Sequence, residues 1–315
     1  MMHTETSSER VNHPDSKAPR GEVRADRRGI ADAPRLRGPL SRFMAARSLS
    51  KVLVGSAGAF LVLVIFGALF ASLIIPTSPS RVDFSAVWSN PSAAHWLGTD
   101  QLGRDLFART IHGARASLFG PVGILAIAAV IGVSIGVCSA WCGGWVDALL
   151  ARVTDVMFAF PGLLFVVLVI AVFGSSPITA IVALGLAYAP VVAKYSRSLA
   201  LQEIARPYVD SYRTLGLGGV RIAITAIVPN IAPALLGYLV VLFGETLMSL
   251  ATLSYLGFGA QPPSSEWGLM VQEGQDAIIQ GHFLPTFVPG IAIAAVVVAV
   301  NIVGVRLADR LVVRK

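Results

Sequence analysis

Four stretches of this chain carry no Asp, Glu, Lys or Arg: Val52 to Ile75, Ala116 to Val146, Val156 to Ala193 and Ala277 to Val305. A helix rises 1.5 Å per residue, so about 20 apolar residues cross a hydrocarbon core ~30 Å thick, and each stretch is long enough. The third would reach about 57 Å as one helix. Gly174-Ser175-Ser176-Pro177 interrupts it with turn chemistry and divides it into a hairpin of two spans. After Arg221 a further apolar run is broken only by Glu245. The pattern predicts an all-α integral membrane protein with six spans, at about 52–75, 117–140, 154–173, 177–196, 231–256 and 284–306.

Composition supports that reading. Hydrophobic residues make up 55% and charged residues 14% of the 315 positions, whereas soluble domains carry about 25% charge. Residues 1–51 are the exception, rich in Arg, Pro, Ser and Asp. Their first 40 positions predict a disordered basic tail, because so little apolar surface cannot offset chain entropy. A cleaved leader is not expected, since the first apolar run starts late and is too long. With the N-terminus inside, the tail, the even loops and the C-terminal segment 307–315 with Arg306 hold 21 of the 25 Lys and Arg. The basic-residue bias therefore predicts both termini in the cytoplasm. Cys138 and Cys142 are expected to be small buried packing residues. Gly132 and Gly136, four apart, predict a close helix approach.

The polar segment between spans four and five carries the most information. It reads Gln202-Glu203-Ile204-Ala205-Arg206-Pro207-Tyr208-Val209-Asp210-Ser211-Tyr212-Arg213-Thr214-Leu215-Gly216. Pro207 suits a first helical turn and Gly216, with Gly218 and Gly219, a stop. Val220 to Val228 predicts a second short helix ended by Pro229. Two such helices form a knob able to press into a cytoplasmic partner.

This segment resembles the E-A-A-x-x-x-G, nine residues, I-x-L-P loop of type I ABC import permeases. Asp210, Ser211 and Tyr212 stand at E-A-A, followed by Gly216, Ala226, Val228 and Pro229 at matching spacing. Upstream, Leu97-Gly98-Thr99-Asp100-Gln101-Leu102-Gly103-Arg104-Asp105 is similar to the L-G-T-D-x-x-G-R-D signature of dipeptide, oligopeptide and nickel permeases. Gly143-Gly144-Trp145-Val146-Asp147, Asp155 through Phe160-Pro161, and Leu256-Gly257-Phe258-Gly259-Ala260-Gln261-Pro262-Pro263 with Trp267-Gly268 resemble the family's later loops. The tail departs from the family's D-G-L-R-D-x-L-D-P pattern, reading Gly304-Val305-Arg306-Leu307-Ala308-Asp309-Arg310. The resemblance covers roughly residues 95–305 and points to the C-type permease subunit of that group.

It implies a bacterial inner-membrane subunit with a first helix at 52–75, an outer loop at 76–112 and a permease domain at 113–306 whose loop 203–229 couples to ATPases. Implied partners are a second, B-type permease, two ABC ATPase subunits, an extracytoplasmic peptide-binding protein and the bilayer, with no nucleic acid. The implied substrate is a di- or oligopeptide, with a nickel chelate or glutathione as the alternative. No lysine follows a glycine, so the chain has no phosphate-binding G-x-x-x-x-G-K-[S/T] loop. No cofactor or metal is expected in this chain; ATP and Mg would sit on the partner subunits. A stand-alone secondary transporter predicts inverted repeats and several intramembrane charges, which the pattern lacks. Asp100, Arg104 and Asp105 suit an ion-pair and capping network, with Asp100 capping a short helix through Arg109, or a docking surface for a binding protein. Glu245 reads either as interhelical glue, bonded for instance to Asn301, or as a pathway or gate residue. The topology has a direct check. In a background lacking Cys138 and Cys142, Ser264→Cys should react with an impermeant thiol reagent on intact cells and Gly218→Cys should not. The reverse pattern ends the six-span assignment.

Overall fold

The computed structural model describes residues 39–313, and side-chain surroundings for 51–308. Chain contacts separate Met1–Ala46 from Arg47–Lys315. In the first unit only helical backbone from Pro39 onward is described, so the tail expected over 1–40 otherwise lies outside the described residues. Positions 39–51 are helical rather than tail, in keeping with strong helix formers such as Ala45, Ala46 and Leu49.

Among the described residues all regular structure is helical, with one isolated extended bridge between Thr99 and Asp105. The elements are α1 (Pro39–Ile74), a 3-10 turn (Phe84–Ala86), α2 (Leu106–Cys142), α3 (Gly144–Ala159), α4 (Gly162–Phe173) and α5 (Pro177–Ile204). They continue with α6 (Pro207–Thr214), α7 (Gly219–Ile222), α8 (Val228–Tyr255), α9 (Trp267–Glu273), α10 (Gln275–Ile279) and α11 (Leu284–Val313). Five helical stretches are long and apolar enough to cross a membrane, and α3 with α4 makes a sixth if the bent pair counts as one span.

Two expected elements take a different form. The third span is not straight: α3 and α4 meet at 87°. Pro161 pushes Phe160 out of the helical region, to ψ 132, and so ends α3. The short helix expected to stop at Pro229 instead runs on: Gly219 to Tyr255 is continuous. A π-turn at Ala223–Ile227 makes this possible, with the Val228 N–H bonded back to the Ala223 carbonyl. Pro229 has no N–H and its ring would crowd a regular turn, and the wider turn accommodates both.

Among the described residues the seam between α2 and α5 is the most extensive helix pairing. A β-carbon at Gly132 would sit 2.7 Å from the Ala189 carbonyl and 2.7 Å from Val192 Cβ. At Gly136 it would meet Ser196 Oγ at 2.1 Å and the Ala193 carbonyl at 2.6 Å. The missing side chains let Ser196 Oγ donate across the seam to the Gly132 carbonyl at 3.1 Å. The close approach expected from the glycine spacing is present. Asp147 of α3 ties the same two helices. It accepts from Arg197 of α5 at 2.7 and 2.6 Å, and from Ser139 of α2.

α2 is 37 residues long and begins at Leu106, well before the predicted 117. Its two ends serve different cores. At the Leu106 end, Leu106 and Ala114 join Ala68 of α1, Leu247 of α8, Trp267 and Met270 of α9 and Val296 and Val300 of α11. At the Cys142 end, Val137 and Ala140 join Ala200, Val209, Ile222, Ala226, Ile227 and Ile231. Overpacking a filled seam costs about 1–3 kcal/mol. Gly136→Val is expected to lower the unfolding temperature of the purified subunit by several degrees, whereas Gly162→Val, with open space around it, should not. Thermal unfolding followed by circular dichroism is the measurement.

Candidate functional site

Two clusters of sequence-selected residues form, one at each end of α2. At the Leu106 end the chain turns sharply. Asp100 Oδ1 accepts the backbone N–H of Leu102 at 2.9 Å and of Arg104 at 3.0 Å, while Gly103 takes φ +68. Asp100 Oδ2 accepts from Arg104 Nε at 2.6 Å and from Arg109 Nη1 at 2.5 Å. Both guanidiniums then reach Glu273 Oε2 of α9, at 2.9 and 2.7 Å. Arg109 also donates to the Ser264 carbonyl at 3.1 Å. Asp100, Arg104 and Arg109 are 3%, 2% and 1% exposed. Two cations and two anions thus cancel inside protein, a balance that burial demands.

The cap of α2 belongs to Asp105, not Asp100. Asp105 Oδ1 accepts from the Ala108 N–H at 2.8 Å, and Oδ2 meets His95 Nδ1 at 2.8 Å. The helix starts at Leu106, so Asp100 lies too far upstream to cap it and closes the preceding turn instead. The rest of the signature shapes this turn. Gly98 has φ +78, the Thr99 hydroxyl donates to the Ala86 carbonyl, and Leu97 packs on the core beside Leu106.

A second acid, Glu266, caps α9 by accepting the N–H groups of Gly268 at 3.0 Å and Leu269 at 2.9 Å, and the Ser117 hydroxyl at 3.2 Å. Burial pushes its carboxyl above the ordinary range, and these donors partly oppose that rise. Trp267 Nε1 donates to the Thr110 carbonyl at 2.9 Å. A β-carbon on Gly113 would lie 1.8 Å from the Ser265 carbonyl, so the loop before α9 lies flush on α2. Nothing local in the sequence marks Glu266 and Glu273, or Arg109 as the partner of Glu273. A signal existed: residues 257–283 hold Glu266, Glu273 and Asp276 but no Lys or Arg, while 76–116 hold four Arg against three Asp. Opposite imbalances in two segments on one side invite pairing.

At the Cys142 end, α6 stands on the core by one buried residue, Val209. Tyr208 fixes it from a second side, donating to buried Glu203 of α5 at 2.8 Å and accepting from Asn230 of α8 at 3.0 Å. Burial, then the bond to Glu203, raises the Tyr208 hydroxyl pKa. Arg213 lies over the Trp141 ring of α2, 5.0 Å from its centroid. Asp210, Ser211, Tyr212 and Leu215 are exposed. Gly216 has φ +74, and the Leu217 and Gly216 N–H groups return to the Tyr212 and Arg213 carbonyls at 3.2 and 3.0 Å. This paired closure is the Schellman C-cap, which needs the left-handed conformation glycine supplies. Ala226 is buried in the core under α6, Val228 is half-buried, and Pro229 is exposed. The motif is therefore split between an exposed helix and its footing.

Other expected pairings are absent. Asn301 donates to the Val297 carbonyl of its own helix at 3.0 Å and lies beside Gly244, not Glu245. Glu245 is exposed. Cys138 and Cys142 are also exposed, with sulfurs 4.0 Å apart, rather than buried. They sit on the side of α2 turned away from the Gly132–Gly136 seam. Among the described residues no three His, Cys, Asp or Glu are grouped to hold a metal.

This geometry belongs to a bundle with a locked loop cluster at one end and an exposed helical knob at the other. Residues 128–315 match the family described as the binding-protein-dependent transport system inner membrane component. The chain belongs to that family: it is a type I ABC importer permease, a multi-pass inner-membrane subunit without catalytic machinery of its own. It is similar to the glutathione transport system permease protein GsiD of Pectobacterium atrosepticum, with 34% identity over 84% of this chain and 88% of that protein. It is 36% identical to the protein of the same name from Escherichia coli O6:K15:H31, over 81% of this chain and 84% of the relative. These relatives fall within the dipeptide and oligopeptide group that the signature at 97–105 resembles.

Removing one partner from a buried ion cluster leaves the others uncompensated, at a cost of about 3–5 kcal/mol. Arg109→Met should therefore destabilise the subunit strongly. Arg109→Met combined with Glu273→Gln should restore part of the loss. A double-mutant cycle on unfolding midpoints checks this, and additive losses would deny the coupling.

Proposed function

We propose that this chain forms half of a peptide-conducting pore in the cytoplasmic membrane and transmits the stroke of separate ATPase subunits through α6. The substrate is a short peptide, and glutathione, itself a tripeptide, falls within that class, as the relatives' names suggest. Both termini lie in the cytoplasm, following the basic-residue bias. A second permease subunit completes the pore, and an extracytoplasmic binding protein delivers the peptide to the surface around residues 76–105 and 257–283.

The observation that carries the proposal is the division of labour on α6. Val209 and Tyr208 root it in the membrane helices, while Asp210, Ser211, Tyr212 and Leu215 present a free face. Leu215 is 75% exposed, a large apolar side chain at the tip of a polar helix, as expected of a residue that a partner's groove covers. A push on this face is carried to α2 by Trp141, to α5 by Glu203 and to α8 by Asn230.

Gly216 is the residue to test. Its left-handed backbone disfavours any β-carbon by roughly 1–2 kcal/mol, although the space around it is open. Gly216→Val is expected to leave membrane insertion and pairing with the second permease intact. It should cut peptide-stimulated transport by the co-expressed complex at least fivefold, with ATPase subunits lost on purification or hydrolysing ATP without transport. Wild-type ATPase association and full transport in Gly216→Val would refute the coupling role. Competition between labelled glutathione and unlabelled dipeptides in the same cells assigns the substrate class.

A further inference from the structure

The half-buried face shared by α5 and α8 holds a group of polar side chains that the coupling helix does not use. Tyr188 and Tyr195 are seven residues apart on α5, and Tyr238 and Glu245 seven apart on α8, so each pair shares one helix face. The faces meet. Tyr188 Oη and Ser249 Oγ are 2.9 Å apart, and the Tyr195 and Tyr238 rings stack with centroids 4.1 Å apart. Glu245 shares the α8 face of Tyr238 and lies one turn before Ser249, the partner of Tyr188. Glu245 itself is exposed, and no ion pair among the described residues includes it.

The depth of this group can be read from the helices. The turn before α5 and the loop after α8 lie at one level, since Ser175 Oγ donates to the Phe258 carbonyl at 3.2 Å. Tyr188 is 11 residues from the start of α5 and Glu245 is 10 residues from the end of α8, or about 15–17 Å. That is half of a ~30 Å hydrocarbon layer. A carboxylate at mid-membrane does not face lipid, so this face lines water or protein.

We propose that Glu245 is the counter-charge for the α-ammonium group of the peptide as it crosses the membrane midplane, with Tyr188, Tyr195 and Tyr238 as the aromatic wall beside it. The proposal rests on the peptide-import reading above. Every member of that substrate class, glutathione included, carries a free ammonium, whatever its side chains. A carboxylate flanked by aromatic rings suits such a group, because ring faces attract cations as well. The cations of α5 cannot serve as permanent partners of Glu245. Lys194 and Arg197 are held by Asp155 and Asp147, at 3.0 and 2.6 Å. A carboxylate at this depth with no permanent cationic partner can bind a passing ammonium and release it.

The test uses the complete complex in proteoliposomes with its peptide-loaded binding protein. Glu245→Gln, nearly isosteric, is expected to lower peptide and glutathione transport at least tenfold, with stimulated ATPase activity within twofold of wild type. Glu245→Asp, which keeps the charge, should recover a third or more of the rate. In the wild type, saturating peptide should protect Glu245 from a lipid-soluble carbodiimide. Equal transport by Glu245→Gln and wild type overturns the proposal. So does a Glu245→Gln complex that falls apart without substrate, which would mark Glu245 as a fixed partner of the second permease. If the wild-type complex moves neither peptide nor glutathione, the peptide-import reading itself fails and takes this one with it. If the wild type transports and only the Gln variant is indifferent, the ammonium role alone is lost.

Discussion

The contact on which the rest depends is the glycine seam between α2 and α5. Lipid tails are as apolar as leucine, so helices in a bilayer gain little from hydrophobicity alone and associate by close packing and hydrogen bonds. Gly132 and Gly136 let the α5 backbone approach until any β-carbon would collide with it. That approach brings Ser139 of α2 and Arg197 of α5 around Asp147 of α3. It also fixes α2 as a rod of 37 residues, about 55 Å long. The locked ion cluster hangs on one end of this rod and the α6 knob rests against the other. Displacing the seam would shift the footing of both.

The parts of this architecture set by composition along one helix were legible in the chain. Charge-free runs of the right length gave the spans, Gly174-Ser175-Ser176-Pro177 gave the hairpin between α4 and α5, and the Gly132–Gly136 spacing gave the seam. Gly216 was legible because a glycine at the end of a short helix has one common use. What escaped was set by pairs distant in sequence. Arg109 looks like any charge near a helix start until Glu273, 164 residues later, arrives beside it. Helix ends escaped for another reason. A cap depends on which of several acids meets the first free N–H, and Asp100 and Asp105 are both plausible until the turn at Gly103 is known. The exposure of Cys138 and Cys142 was not legible, because small apolar residues sit as readily on the outer face of a membrane helix as on the inner one.

The ion cluster also explains a choice of residue types. Asp100 accepts two backbone N–H groups through one oxygen and two guanidiniums through the other. Each guanidinium meets Asp100 and Glu273 through separate N–H groups held in one rigid plane, a fixed geometry that the compact lysine ammonium lacks. Such a cluster adds little net stability over an apolar core of equal volume. It does specify one arrangement of the first loop, α2 and α9, because every alternative leaves a buried charge alone.

Two places where the chain departs from regular helices lie on either side of α6. The bend at Phe160-Pro161 and the π-turn at Ala223–Ile227 are both built around a proline, and neither helix is fully tied by regular hydrogen bonds there. The π-turn is the more consequential. It lies directly between α7, which follows the knob, and α8, which carries Glu245 farther along. A π-turn holds one residue more than a regular turn, so its loss rotates everything beyond it by about 100° relative to what precedes it. The π-turn thus sets the helical register of α8 relative to α7. Ala226 and Ile227 are buried there against Val209, so α6 and the π-turn share one patch of core. The sequence that roots the knob is therefore the same sequence that sets how α8 is turned.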